Sequence, residues 1–292
     1  MLQDSASASS LLEQDTSPLV RFEVRPFVKW VGGKHQLLPV LDAAAPELAS
    51  GNCYFEPFIG GGAYFLHRQP LHGTISDINP ELINCYQVIR DDVEGLIVHL
   101  ATHQNTEEHF YTQRALVLSG LSAITRASRF IFLNKTCFNG LYRENKSGQF
   151  NSPFGRYVNP TIVDAANLRA VSTYLRYAHI DIIHSGYEHV LDKARAGDLV
   201  YFDPPYVPLT ASASFVSYTK AGFGMKDQQA LANAFRELDR RGVRLMLSNS
   251  NTEIVHSLYK PFRIQVIHAT RAINSKGTGR ARAANEVLVT NY

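Results

Sequence analysis

Cysteine is scarce in this chain, which has three among 292 residues, at positions 53, 85 and 137. No Cys-x-x-Cys pair occurs, so the pattern excludes a disulfide framework and a cysteine zinc site and favours a reducing compartment. No stretch approaches the roughly 18 uninterrupted apolar residues of a membrane span. The first residues carry acids and no basic segment, which argues against a secretory signal and predicts a flexible tail over residues 1–22.

Net charge is also small, at +3, and its distribution is more informative than its size. Between residues 126 and 156, a single acid accompanies six basic residues: Arg126, Arg129, Lys135, Arg143, Lys146 and Arg156. From residue 260 to the end, a single acid again accompanies six: Lys260, Arg263, Arg271, Lys276, Arg280 and Arg282. One basic face on a nearly neutral protein suits a polyanionic ligand, although two solvated basic surfaces would give the same pattern.

The hydrophobic pattern alternates strands with helices. Short apolar runs predict strands at 53–55, 74–76, 199–202, 243–247, 264–267 and 286–289. Helix signals lie at 32–45, 62–68, 80–89 and 226–238. Such alternation predicts an α/β fold with a mainly parallel sheet covered on both faces. The pattern changes between 91 and 185, where helical patterning precedes a Gly/Asn/Pro-rich loop. We therefore expect a core formed by 23–90 and 186–292, with 91–185 inserted into it.

A glycine-rich segment, Glu56 to Gly62, follows the first predicted strand and precedes a helix. Glycine lets the backbone approach a ligand at the carboxyl end of a strand, where doubly wound folds bind nucleotides. Asp77 ends the next strand, and an acid there typically accepts hydrogen bonds from ribose hydroxyls. Together the two features favour an adenosine-containing cofactor over a simple tight turn. The dinucleotide fingerprint and the P-loop both fail to match, so a cofactor without a long phosphate chain fits better.

A second candidate is the tetrapeptide Asp203-Pro204-Pro205-Tyr206, which follows the apolar run 199–202. The prolines fix φ and have no N–H, so we expect their carbonyl oxygens to stay free and rigidly aimed. Asp203 adds a carboxylate acceptor and Tyr206 adds a planar face. Such a cluster can accept both hydrogens of an aromatic amino group and favour the positive form of the nitrogen as it attacks. A stiff turn would explain the prolines but not the acid and the aromatic ring.

In order and in content, these segments resemble the Dam-type DNA adenine-N6 methyltransferases. The resemblance covers about residues 27–292 and rests on 27–34, 55–62, 76–79, 132–143, 150–157 and the tetrapeptide. It implies a Rossmann-like methyltransferase core with an inserted helical and loop target-recognition domain. It also implies S-adenosylmethionine as the cofactor and double-stranded DNA as the substrate, with the target adenine flipped out of the duplex.

The resemblance further implies a role for individual positions. Those expected to bind the cofactor are Trp30, Lys34, Phe58, Gly60, Gly62, Asp77 and Asp203. The tetrapeptide, Asp203, Pro204, Pro205 and Tyr206, is expected to hold the methyl acceptor. Those expected to contact DNA are Lys29, Asn139, Leu141, Arg143 and Arg156, with Arg143 reading the edge of a guanine. The block from 139 to 157 resembles members that methylate adenine within GATC, except that Ser152 stands where we expect an apolar residue.

Two other classes stay open on the sequence alone. A small-molecule or protein amide methyltransferase could use the same core, but a glutamine-modifying enzyme typically has Asn in place of Asp203 and needs no basic insertion. A catalytically silent DNA-binding module is disfavoured by the intact loop and tetrapeptide. His99 and His103 lack the Glu of a His-Glu-x-x-His zinc motif, and methyl transfer from a sulfonium needs no metal. We also expect no membrane association, no obligate protein partner and a cytoplasmic location in a prokaryotic or phage-infected cell.

Overall fold

The computed structural model describes residues 21–145, 147–208, 223–270 and 283–292. Most of the tail predicted over 1–22 lies outside these ranges, but Phe22 does not behave as part of a tail. Its backbone N–H donates to Oε1 of Gln69 at 2.9 Å, and its ring lies 5.7 Å from that of Tyr174. Phe22 therefore belongs to the folded structure.

The strands in these ranges form one seven-stranded sheet in the order β3-β2-β1-β4-β5-β7-β6. Their bounds are β1 Tyr54–Glu56, β2 His72–Asp77, β3 His179–His184, β4 Leu199–Phe202, β5 Arg244–Ser250, β6 Arg263–Thr270 and β7 Ala283–Thr290. Strands β1 to β5 pair in parallel, whereas β7 runs antiparallel to both β5 and β6. The strand order reverses between β1 and β4, and open α/β sheets bind their ligands at such a crevice. The predicted α/β class is confirmed.

Helices cover both faces of the sheet. Their bounds are α1 Leu38–Ala44, α2 Ala63–Arg68, α3 Pro80–Asp91, α4 Val93–Leu100, α5 Glu107–Ala115, α6 Ala123–Thr136, α7 Ala165–Tyr177, α8 His189–Lys193, α9 Met225–Arg240 and α10 Glu253–Leu258. The helix predicted at 32–45 begins late, because Gly32 has a φ of +83° and Pro39 fits only the first turn of a helix. Residues 31–32 and 35–37 form turns instead.

Side chains of neighbouring strand residues enter two separate cores. Tyr54 and Tyr201 are buried with apolar residues of α1 to α7, whereas Phe55 and Phe202 are buried with those of α8 to α10. This alternation is the period of two that a strand imposes on its side chains. Because β1 and β4 are buried on both faces, they anchor the residues that follow them in the chain.

Strand β3 lies inside the range 91–185 predicted as an insertion. It pairs in parallel with β2 over its whole length, from His72↔His179 to Asp77↔His184. These residues are therefore part of the sheet, and the insertion cannot extend to residue 185. Within the described ranges, no helix combines the length and the apolar composition that crossing a lipid bilayer would require.

Candidate active site

An ion pair joins the turn before α1 to the end of β4. Nζ of Lys34 lies 2.7 Å from Oδ2 of Asp203 and also donates to the carbonyl of Gly32 at 2.6 Å. The Lys34 side chain is only 5% exposed. Burial raises the pKa of Asp203, and the Lys34 ammonium opposes that rise. The other carboxylate oxygen, Oδ1, is buried and finds no hydrogen-bond partner within the described ranges, so an acceptor is left for a ligand.

The two proline carbonyls of the tetrapeptide differ. Nε2 of Gln228 donates to the carbonyl of Pro205 at 2.7 Å, so the prediction that both carbonyls stay free is wrong for Pro205. No described residue donates a hydrogen bond to the carbonyl of Pro204. The backbone acceptor that remains beside Asp203 is therefore that of Pro204.

Tyr206 is held by an acid that sequence reasoning missed as a site residue. Its hydroxyl donates to Oε2 of Glu286 at 2.9 Å, and Nζ of Lys34 lies 4.9 Å from its ring centroid. Glu286 lies on β7, opposite Ser250 of β5. Burial raises the pKa of Tyr206, and the charges of Asp203 and Glu286 raise it further. Only the pairing of β7 with β5 brings Glu286 to this place, and nothing local in the sequence indicates it.

The glycine loop is shaped by two aromatic neighbours. A Cβ added to Gly60, whose φ is +47°, would lie 2.6 Å from the indole ring of Trp30. A Cβ added to Gly62, whose φ is +68°, would collide with the hydroxyl of Tyr86, and that hydroxyl donates to the carbonyl of Gly60 at 3.1 Å. Trp30 also stacks at 5.6 Å on Tyr142. The single tryptophan therefore connects the loop to the segment that we expect to contact DNA.

Asp77 fastens this loop to the end of β2. Its Oδ2 accepts the N–H of Gly60 at 3.1 Å, and its Oδ1 accepts the N–H of Asn79 at 2.9 Å. Burial raises the pKa of Asp77, and these backbone hydrogen bonds oppose the rise. Each carboxyl oxygen still has lone pairs for further donors. Nearby, the half-buried ring of Phe58 lies 5.8 Å from Tyr187 in a stacked arrangement.

Glu56, the first residue of the glycine-rich segment, is a further buried acid at the end of β1. The hydroxyl of Tyr54 donates to its Oε2 at 2.5 Å. Burial raises the pKa of Glu56 to about 8; the Tyr54 hydrogen bond and Lys34 lower it, and Asp203 raises it. Lys34 therefore lies within electrostatic reach of two buried carboxyl groups.

Lys29 and Asn139 lie on one surface. The Asn134 side chain accepts from the backbone N–H of Lys29 at 2.8 Å and donates to its carbonyl at 2.7 Å. A short 3-10 turn, Phe138–Gly140, lies beside the Lys29 side chain, with which a Cβ on Gly140 would collide. Asn139, in the middle of this turn, is exposed and has a φ of +57°. The ring of Phe138 is 53% exposed, and sequence reasoning did not single it out.

Arg143 begins a small hairpin. Its carbonyl accepts the N–H of Asn151 at 2.9 Å, and its side chain is exposed. The departure at Ser152 has a structural reason. That side chain is 1% exposed, and its hydroxyl donates to the carbonyl of Leu141. Because the buried hydroxyl has a backbone partner, serine can replace the apolar side chain expected at this position.

Not all residues of the first basic stretch face solvent. Arg126 pairs with Glu81, and Arg129 is buried, donating to the carbonyls at the end of α5. Arg156 is exposed, with a φ of +53°, and lies 3.3 Å from Glu107. Lys146 and residues 271–282 lie outside the described ranges.

The histidines form a packed chain. Nδ1 of His99 and Nε2 of His103 each lie 2.9 Å from the hydroxyl of Ser128, and Nδ1 of His103 lies 2.9 Å from Nε2 of His109. Among the described residues, no three His, Cys, Asp or Glu side chains are grouped so that they could hold a metal ion.

Comparison with known proteins places this arrangement in a family. Residues 30–273 match the family model of D12 class N6 adenine-specific DNA methyltransferases, and the chain belongs to that family. It is 44% identical to the Type II methyltransferase M1.LlaDCHI of Lactococcus lactis subsp. cremoris, over 93% of this chain and 97% of that protein. It is 43% identical to the Type II methyltransferase M.MjaIII of Methanocaldococcus jannaschii, over 92% of this chain and 100% of that protein.

A DNA adenine methylase of Escherichia coli K12 is 31% identical, over 90% of this chain and 94% of that protein. The resemblance to Dam-type enzymes is thereby confirmed. The chain is an adenine-specific DNA methyltransferase, and DNA is its substrate.

Proposed function

We propose that the enzyme transfers the methyl group of S-adenosylmethionine to N6 of an adenine that is flipped out of duplex DNA, within the sequence GATC. The observation that carries the proposal is the buried, unpartnered Oδ1 of Asp203, beside the unoccupied acceptor of Pro204. A base inside a duplex cannot reach such a recessed pair of acceptors, so it must leave the stack.

The residues around the loop fit the cofactor. Asp77 keeps acceptor capacity for ribose hydroxyls beyond the two amides that it already binds. The missing Cβ atoms of Gly60 and Gly62 let the loop pack against Trp30 and Tyr86, which holds the loop at the carboxyl end of β1, and the half-buried ring of Phe58 lies nearby. When bound, S-adenosylmethionine supplies an electrophilic methyl group on a sulfonium.

The tetrapeptide would hold the acceptor nitrogen. Lys34 favours the ionised form of Asp203, whose Oδ1 accepts one amino hydrogen, and the carbonyl of Pro204 accepts the other. These two acceptors stabilise the positive charge that develops on nitrogen as it attacks. Tyr206 supplies a flat face for the base. Because the acceptors are held in place before the base arrives, part of the rate enhancement comes from alignment.

The surface that carries Lys29, Arg143 and Arg156 would bind the duplex. Arg143 starts the hairpin with an exposed side chain, and arginine pairs with the O6 and N7 edge of guanine. Lys29 and Arg156 are exposed cations that suit phosphates. Asn139 and Leu141 lie between them in the chain, on the same turn and its exit.

Sequencing of treated DNA tests the proposal. Unmethylated genomic DNA is incubated with the purified protein and S-adenosylmethionine, and N6-methyladenine is mapped at single-base resolution. We expect modification at every GATC. Modification of adenine in another motif would overturn GATC but leave the chemistry intact, and no modification with this cofactor would overturn the cofactor assignment.

A further inference from the structure

A buried glutamine holds the carbonyl of Pro205. Gln228 lies in the first turn of α9, its side chain is 2% exposed, and its Nε2 donates to that carbonyl at 2.7 Å. Glutamine is found mostly on protein surfaces, and burying an amide costs free energy unless both of its ends are hydrogen-bonded. Neither the patterning of the sequence nor the roles proposed above account for it.

The other end of the Gln228 amide belongs to a buried network. Its Oε1 accepts from Nδ2 of Asn249 at 3.2 Å, and Oδ1 of Asn249 accepts the N–H of Val207 at 3.0 Å. The hydroxyl of Ser250 donates to the carbonyl of Val207 at 2.6 Å. Asn249 and Ser250 end β5 and are fully buried. Three backbone atoms of the segment 205–207 are therefore held by side chains from two separate elements.

These contacts fix the orientation of Tyr206. The carbonyl of Pro205 and the N–H of Tyr206 belong to one planar peptide unit, so a donor that holds the oxygen also sets the direction in which Tyr206 leaves. The same donor holds the Pro205 carbonyl, whereas the Pro204 carbonyl beside Asp203 accepts no hydrogen bond from a described residue.

We propose that Gln228 is a positioning residue for methyl transfer, which acts by holding the Pro205 carbonyl and thereby fixing the tetrapeptide. This inference rests on the proposed role of Asp203 to Tyr206 as the methyl-acceptor site. Gln228 itself need not touch the base or the cofactor. Alignment of reacting groups is sensitive to displacement, since a shift of about 1 Å can cost about 100-fold in rate.

Gln228→Met tests the proposal, because methionine has a similar length but neither donates nor accepts strongly. The matched control is Gln229→Met, which changes the exposed neighbour on the same helix. The measurements are the single-turnover rate of methyl transfer to a GATC duplex at saturating cofactor, and the dissociation constants of S-adenosylmethionine and duplex. We expect the rate of Gln228→Met to fall at least about tenfold, with both dissociation constants within about twofold of the parent and Gln229→Met unchanged.

A second variant separates positioning from folding. The carboxyl group of Gln228→Glu can donate to the Pro205 carbonyl only when protonated, and burial raises the pKa of such a group. We expect its rate relative to the parent to be lowest at high pH and to recover as pH falls. The ratio is compared only over the pH range in which circular dichroism shows the variant to be folded, because ionisation of a buried Glu would also lower the stability of the protein.

Two results would overturn the proposal: a Gln228→Met rate within about threefold of the parent, or a pH-independent ratio for Gln228→Glu. The second decides the matter if Gln228→Met does not fold. Failure of the underlying site assignment is distinguishable, because Asp203→Ala would then retain the parental rate whatever the Gln228 variants do.

Discussion

Lys34 and Asp203, which are far apart in the sequence, form a shielded ion pair with 2.7 Å between Nζ and Oδ2. The pair joins the segment before α1 to the end of β4. Removing one partner of such a pair leaves an uncompensated charge, which typically costs several kcal/mol. The remaining oxygen of Asp203, Oδ1, is the one that we assign to the amino group.

Lys34→Met should shift the pH dependence of methyl transfer. Burial and Glu286 raise the pKa of Asp203, and Lys34 lowers it, so loss of the ammonium raises that pKa. If Asp203 accepts an amino hydrogen as proposed, the rate requires its ionised carboxylate, so the acidic limb of the kcat profile should move to higher pH. The profile is measured at saturating cofactor and DNA. Lys193→Met, which removes an exposed pair with Asp181, is the control and should leave the profile in place. An unshifted limb in Lys34→Met would show that Lys34 does not control Asp203.

Asp77→Asn should weaken cofactor binding. The substitution keeps the size of the side chain but replaces an acceptor oxygen with an NH₂ group, next to the N–H groups of Gly60 and Asn79. We expect at least about a tenfold loss in affinity for S-adenosylmethionine, or about 1.4 kcal/mol, measured by calorimetry. Asp181→Asn, on the exposed side of β3, serves as the control. Unchanged affinity in Asp77→Asn would remove the ribose assignment.

His103 should make the protein less stable in mild acid. Burial first, and then the neighbouring His109 and His99, lower the pKa of His103 from 6.5 to about 4. Between these values the unfolded chain binds more protons than the folded one, so the free energy of unfolding falls as pH decreases through this window. Because the side chain is partly exposed, the loss attributable to it between pH 7 and 5 is about 1 kcal/mol.

Urea unfolding of His103→Gln at several pH values measures this effect. The variant should be less stable at pH 7, where it loses the contact with Phe132 and the hydrogen bonds, but its stability should depend less on pH. His35→Gln, at an exposed position, should leave the pH dependence unchanged. If the free energy of unfolding depends on pH equally in His103→Gln and the parent, His103 is not the source of the loss of stability in mild acid.

The parts of the fold that sequence predicts well are those whose residues are buried on both faces. Leu199–Phe202 is a continuous apolar strand with every residue buried, and the tetrapeptide follows directly at its end. Strand β3 escaped prediction because it lies at the edge of the sheet, where exposed His179 and Asp181 alternate with buried Ile180 and Ile182. Its polar residues hide the apolar signal.

The parts of the candidate site that sequence could not predict depend on packing between distant segments. Glu286 reaches Tyr206 only because β7 inserts beside β5, and Gln228 reaches Pro205 only because α9 packs under the tetrapeptide. A single sequence shows the spacing of neighbours but not such pairings. Similarly, the sequence suggests that Arg129 is a surface charge, but its side chain is buried and donates to a carbonyl in the last turn of α5.

Arg143→Ala should relax sequence specificity at one position. If its guanidinium binds a guanine through two hydrogen bonds, the loss costs about 1–3 kcal/mol at that base pair and leaves the other positions as they were. Arg156→Ala is the matched comparison. If Arg156 contacts a phosphate, its loss should weaken DNA binding equally on all sequences and reduce the salt dependence of binding. Methylation rates are measured on GATC duplexes and on every single-base variant. A uniform loss in Arg143→Ala would assign that residue to phosphate as well.

Asp203→Ala removes the carboxylate that we propose accepts a hydrogen bond from the adenine amino group at the end of β4. Purified parent enzyme and Asp203→Ala are mixed with a GATC duplex and S-adenosylmethionine, and N6-methyladenine formed in a single turnover is quantified by mass spectrometry of the nucleosides. We predict that the parent methylates the duplex and that the variant, still folded, loses far more than tenfold in rate. A loss of less than tenfold, about 1.4 kcal/mol of barrier, would contradict this role of Asp203.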